Sequence, residues 1–252
     1  MKKFNLKIST FIFTIIITLT LCVNIVLANS NNRSIIGNDN RTPAIPDGRI
    51  VSVLTVWPDG SKDLYTGFLI SNRHVATTSS AMYNLSKGGK YSLIMVDPMH
   101  TGEYGVFQAT EKSIYNENWI LKPSNNFGII ELNKNVPYTL GRFKFKIPSE
   151  HDLNYENFSI IGYDRNFTNN QWLSNGEIEK FTPHFLYYDM DTATSTIGAP
   201  ILDSNYNVIG IHTGDEVEVG YHNYGLRVTK EFLDQINSWK AKFDVIPENL
   251  NN

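Results

Sequence analysis

From Arg49 onward the chain runs in short apolar stretches split by turn residues. Arg49–Trp57 is rich in Val and Ile and closes at Pro58-Asp59-Gly60. Leu64–Ile70 follows, then His74–Thr78 after the polar Ser71-Asn72-Arg73. Tyr91–Val96, Tyr104–Thr110, Phe127–Leu132 and Phe158–Tyr163 continue the pattern. Trp172–Phe181 reads as two strands broken at Asn175-Gly176. Phe185–Met190, Pro200–Leu202, Val208–His212 and Tyr221–Val228 complete the set. Short runs at this spacing, enriched in β-branched and aromatic residues, predict an all-β sandwich or barrel. One helix is expected over 229–244, where Phe232, Ile236, Trp239 and Phe243 fall at helical spacing behind a Thr229 cap. A polar tail, 245–252, follows it. The Pro/Ser/Glu/Asp stretch Lys146–Asp152 is the best candidate boundary between two halves.

The start of the chain has a different pattern. Lys2, Lys3 and Lys7 precede an apolar run from Phe11 to Leu27, and Val26-Leu27-Ala28 offers short residues at a cleavage position. Residues 1–28 are read as a secretory signal, with a membrane signal anchor as the competing reading. Removing residues 1–28 takes the formal charge of −3 to −6, because the segment carries three lysines and no acid. It also removes Cys22, the one cysteine. The mature chain then has no disulfide scaffold, cysteine nucleophile or thiolate metal site. The acidic balance argues against a general nucleic-acid binder. Nothing after the signal is long and apolar enough to span a membrane as a helix.

Three segments carry a family resemblance. Thr66–Met82 reads TGFLISNRHVATTSSAM, Asn126–Leu132 reads NFGIIEL, and Met190–Gly214 reads MDTATSTIGAPILDSNYNVIGIHTG. In this order they resemble the histidine, aspartate and nucleophile segments of trypsin-like serine proteases. SIIGNDNR at Ser34–Arg41 and the ending RVTKEFLDQINSWK resemble the secreted bacterial glutamyl endopeptidases in particular. The resemblance implies two six-stranded antiparallel β-barrels with a C-terminal helix. It divides the chain into a short linker (29–33), a first barrel (34–145) and a second (146–228). The site would lie in the cleft between the barrels.

The flanking residues place the triad positions at Ser80, Asn126 and Ile197, all substituted relative to the family. A serine hydroxyl needs a base to take its proton, and an imidazole held in the right tautomer does this. Ile197 has no heteroatom, and Ser80 is no base near neutrality. An Asp-to-Asn change alone costs about 10⁴ in turnover, and loss of nucleophile or base costs on the order of 10⁶. Ser195 stands where the family has an oxyanion-hole glycine, whose backbone freedom a side chain restricts. His74 and Ser195 are the residues nearest in sequence that could substitute chemically.

The resemblance also implies a pocket for an acidic side chain, formed by Thr192, His212 and the α-amino group of Ser34 after a cut at Arg33. A protonated His212 would supply charge to it. The remaining histidines, His100, His151, His184 and His222, lack zinc spacing. Asp189 and Asp191 are expected to face solvent from a strand. Asp39 between Asn38 and Asn40 could bind calcium and is read instead as a polar turn. Asn84, Asn157 and Asn166 begin glycosylation sequons that are read as incidental. No cofactor is expected.

Together these readings describe a secreted, catalytically inactive protease homologue that acts by binding a peptide or protein, with an acidic segment as the candidate occupant. The alternatives are a weak endopeptidase using Ser195 or His74, and a surface-adhesion or toxin-like protein with no use for the cleft.

Overall fold

In the first long strand, aliphatic side chains occupy both parities, so each face must find its own core. β1 (Thr42–Pro43) leads into β2 (Ile50–Val56), β3 (Lys62–Leu69) and β4 (His74–Thr77). A ribbon of β5 (Tyr83–Asn84) and β6 (Gly89–Lys90) precedes β7 (Leu93–Pro98), β8 (Phe107–Gln108) and β9 (Gly128–Glu131). The computed structural model describes residues 35, 38–165, 170–216 and 222–243, with Asp215 and Glu216 followed as backbone only. The expected signal and linker, Ser34, the Asn166 sequon and the tail lie outside the described residues.

Six of these strands form an antiparallel sheet in the order β8-β7-β2-β3-β4-β9. A bridge between Ala109 and Leu132 joins the chain just beyond its two edge strands, so the sheet curls round to meet itself. Val51, Val53, Leu69, Val75, Ile94, Val96 and Ile130 point into the curl and pack with Phe107 and Met82. The neighbours of opposite parity, Ile50, Phe68, Ala76 and Ile129, face the other way into a second cluster.

The second half comprises β10 (Lys144–Phe145), α1 (Glu150–Tyr155), β11 (Phe158–Tyr163), β12 (Gln171–Gly176), β13 (Ile178–Phe181) and β14 (Phe185–Tyr188). β15 (Pro200–Leu202), β16 (Asn207–Glu216), β17 (His222–Arg227) and α2 (Lys230–Phe243) complete it. Its sheet runs β1-β12-β11-β15-β16-β17-β14-β13. Only Glu177 separates β12 from β13, so the two are halves of one bent strand and this sheet also curls to closure. The expected break at Asn175-Gly176 thus lies one residue further on. Gly176 is the last residue of β12, and a Cβ there would stand 2.6 Å from Asp189 Oδ1. Ile160, Ile201 and Ile209 fill the interior with Phe158, Leu186 and Tyr188. β10 pairs with β16 in parallel, a departure from a purely antiparallel plan.

The outward residues of both sheets meet in a shared core. Ile50, Phe68 and Ile129 from the first sheet join Ile161, Leu202, Val208 and Ile211 from the second, closed by Phe232, Ile236 and Trp239 of α2. Burying aliphatic surface at about 25 cal/mol per Å² makes this junction a main stabilising contact between the sheets. Thr229 caps α2 as expected, its hydroxyl accepting from Phe232 N at 3.1 Å. The fold is therefore two curled antiparallel half-barrel sheets with a C-terminal helix.

One local reading needs correction. Tyr104–Thr110 is not a full strand: Met99, His100, Gly102 and Gly105 all adopt positive φ, and the turn leaves only Phe107–Gln108 paired to β7. The stretch Lys146–Asp152, the candidate boundary, also holds the start of a helix. Ser149 and Asp152 form a reciprocal capping box that starts α1, and Leu153 buries its face.

Candidate functional site

β4 delivers the first candidate residue. It ends at Thr77, whose hydroxyl donates to Thr66 O on the neighbouring strand at 2.8 Å, and a 3-10 turn at Ser79–Ala81 follows. Ser79 is buried; its hydroxyl donates to Phe127 O at 2.6 Å and accepts from Asn116 N at 2.9 Å. These bonds clamp the turn to the segment before β9. Ser80 then donates its backbone N–H to Asn126 Oδ1 at 2.9 Å, and its hydroxyl donates to Thr78 Oγ1 at 2.9 Å. Asn126 is buried at the end of its own 3-10 turn, Pro123–Asn125. The fold thus brings Ser80 and Asn126 together, 46 residues apart in sequence.

Ile197 arrives from the second sheet. A 3-10 turn at Thr194–Thr196 precedes it, and its N–H closes the turn on Thr194 O at 3.4 Å. Gly198 follows at φ +93°, where a Cβ would lie 2.1 Å from Thr66 O, so the turn requires glycine. Thr66 N donates to Ile197 O at 2.9 Å, which ties the turn to β3. The half-buried Ile197 side chain packs against the interior cluster of the first sheet. Ser195 lies inside the 3-10 turn and is not among the residues with positive φ. Its hydroxyl donates to Tyr163 O at 3.0 Å and accepts from Arg165 N at 2.8 Å.

Thr192 and His212 border the same stretch of β17. Thr192 Oγ1 lies 3.3 Å from Asn223 Oδ1, and the Asn223 amide donates to Met190 O at 2.8 Å. His212 pairs with Gly225, and its Nδ1 is 2.7 Å from the Tyr188 hydroxyl. The ring is fully buried. Desolvation pushes its pKa down to about 3, against the opposing effect of a hydrogen bond to the Tyr224 backbone. Burial thus favours the neutral imidazole of His212 over the protonated form that the resemblance implies beside a bound carboxylate.

Sequence reading missed several polar partners of this region. Asn223 and Tyr188 give no motif, being single polar positions in aromatic strands. Asp191 does not face solvent from a strand. It is buried beyond the end of β14 and accepts from Asn40 N at 2.8 Å. Beside it, buried Arg41 joins Asp39 and Asp164, each at 2.8 Å. Asp39 thus belongs to an ion-pair turn. His74 lies at the opposite end of β4 from Ser80, its Nδ1 2.7 Å from Ser71 Oγ and its ring 4.4 Å from that of Phe243. Among the described residues no group of three or more His, Cys, Asp or Glu is placed to hold a metal. No described helix is long and apolar enough to cross a membrane.

No family model matches the chain. It is 29% identical over 226 residues to the glutamyl endopeptidase of Bacillus licheniformis, covering 82% of this chain and 69% of that protein. A solved Glu endopeptidase in complex with MPD superposes with a TM-score of 0.71 at 24% identity, over 82% of this chain and 99% of the other. The protease Anisep of Arthrobacter nicotinovorans superposes at 0.64 with 13% identity, over 80% and 99%. The curled sheets, the turns that carry Ser80, Asn126 and Ile197, and these likenesses agree: the chain has the fold of the trypsin-like serine proteases, and its sequence is similar to a glutamyl endopeptidase.

Proposed function

We propose that this chain is a secreted protease homologue that binds rather than cuts, with a peptide or protein segment bearing an acidic side chain as the occupant of the former substrate cleft. The observation that carries the reading is the turn at Ile197. The side chain before Gly198 offers no heteroatom, and the N–H of that residue is engaged by Thr194 O. Acyl transfer needs a nucleophile, a base to activate it and donors aimed at the developing oxyanion. Ser80 and Asn126 meet, but they meet as a backbone donor and an amide acceptor. Ser195 and His74 are poor replacements, since one hydroxyl is committed to two backbone groups and the other side chain stands at the far end of β4. Secretion rests on the lysine-led apolar run at residues 1–28.

The binding half rests on Thr192, Asn223 and His212, which place neutral hydrogen-bonding groups around one stretch of β17. A bound carboxylate would need such donors, because an unpaired buried charge is strongly unfavourable. Purified chain lacking residues 1–28 is incubated with a Glu-containing chromogenic peptide and titrated calorimetrically with a Glu-terminated one. The expected outcome is no turnover and saturable binding, weakened by Thr192→Val. Turnover at the rate of a working protease, abolished by a serine-directed inhibitor, would overturn the proposal. Binding unaffected by Thr192→Val and His212→Ala would remove the pocket from it and favour a surface role.

A further inference from the structure

Between the Lys122–Asn125 turn, the end of β17 and the first turn of α2 lies a cavity of about 120 Å³. Its apolar wall is Phe127, Leu226 and Phe232. Its rim carries Lys122, His184 and Arg227, with Glu231 opposite in charge. Among the described residues, none of the three basic side chains has a carboxylate within ion-pair distance. Arg227 is the one of the three that is partly buried, its guanidinium 5.2 Å from the Phe181 ring. Its terminal nitrogens reach the carbonyls of Thr182 and Pro148 at 3.4 and 3.3 Å, and its buried Nε has no acceptor among the described residues. A guanidinium carries five N–H donors, and a buried donor left without an acceptor is unfavourable until one arrives.

We propose that this cavity binds a small aromatic carboxylate. The ring lies on Phe127, Leu226 and Phe232, and the carboxylate accepts from Arg227 and Lys122. At about 120 Å³ the cavity is smaller than the ~150 Å³ that encloses benzene, so it takes a single ring with the carboxylate left at the rim. Charge-assisted bonds from a guanidinium are the strong, directional choice for a carboxylate. Glu231 on the same rim opposes an anion and so limits its affinity. The cavity shares no residue with the Thr192–His212 region. It does include Asn125 and Phe127, so it adjoins Asn126, the residue that anchors Ser80.

The test is an NMR titration of the chain with benzoate and, separately, with benzamide. Benzoate is expected to shift the Leu226 and Phe232 signals saturably, and benzamide to bind about tenfold more weakly for want of the charge. Lys122 and Glu231 are exposed, so their variants keep the fold. Lys122→Gln is expected to weaken benzoate by a few-fold and Glu231→Gln to strengthen it by a similar factor. Failure of benzoate to saturate, equal affinity for benzamide, or indifference to both charge changes would overturn the proposal.

Discussion

The side-chain oxygen of Asn126 accepts the backbone N–H of Ser80 at 2.9 Å, joining the turn after β4 to the turn before β9. This bond keeps two of the candidate positions in register while neither side chain supplies a base. Substitutions at these positions therefore test the proposed reading directly.

Ser80→His, Asn126→Asp and Ile197→Ser, made singly, are expected to leave hydrolysis of a Glu-containing peptide at the blank, because each restores one member of a unit that acts together. The triple variant is expected to turn over slowly. Its remaining defect is the 3-10 turn in which the residue 197 N–H bonds Thr194 O. Ser195→Gly removes the two hydroxyl bonds that hold that turn and permits the positive φ that serine resists. Adding it is expected to raise kcat by a further ~10²–10³, the worth of one oxyanion donor. A quadruple variant no faster than the triple would mean that the turn is not what limits it.

Arg41 and Asp164 are buried partners, with side chains 2% and 1% exposed. Asp164→Asn leaves buried Arg41 with Asp39 as its remaining carboxylate partner, so it is expected to cost about 2–3 kcal/mol, below the ~3–5 kcal/mol of a fully unpaired buried charge. Asp39, the second partner, has a side chain 39% exposed. Asp39→Asn is expected to cost no more than about 1 kcal/mol. Urea unfolding of both variants, compared at constant m-value, measures the contrast.

Gly198 combines φ +93° with Thr66 O at 2.1 Å from any added Cβ and Thr77 Oγ1 at 2.3 Å. Gly198→Ala therefore forces both strain and backbone displacement, since a non-glycine residue at such a dihedral costs of order 1–3 kcal/mol before the clash is counted. Gly60, at φ +83° with open space around its Cβ position, is the control. Gly60→Ala is expected to show the dihedral cost alone, and the difference in thermal midpoint between the two variants reads the clash.

The strands were legible because β-branched runs sit between turn residues, and α2 because its four apolar residues share one face. Which core each side chain enters was not legible. Ile160 and Ile161 read alike in sequence, yet one fills the second curl and the other the shared core. The positions Ser80, Asn126 and Ile197 came from their flanking residues, and the first two do meet in space. The state of His212 could not be read, because it depends on burial and on Tyr188, 24 residues away. α1 was legible in principle, through the Ser149 and Asp152 capping pair, but the polar composition of that stretch masked it.

His212 makes stability depend on pH in a definite direction. Burial lowers its pKa in the folded chain from 6.5 to about 3. Between those values the unfolded chain binds the proton and the folded chain does not. Stability is therefore full above pH 6.5 and falls as pH falls, by about 1.4 kcal/mol per unit within the window. Asp59, Asp152 and Asp203 have pKa values lowered from 3.8, so their contributions are lost only below that value. The interval from pH 6.5 to 4.5 thus separates the histidine from these carboxylates. His212→Gln keeps a neutral polar group beside the Tyr188 hydroxyl but does not titrate. Urea unfolding across that interval is expected to show the parent chain losing about 2–3 kcal/mol more than the variant. Equal losses would mean that His212 is reached by protons in the folded state, and would return the charged form to the pocket.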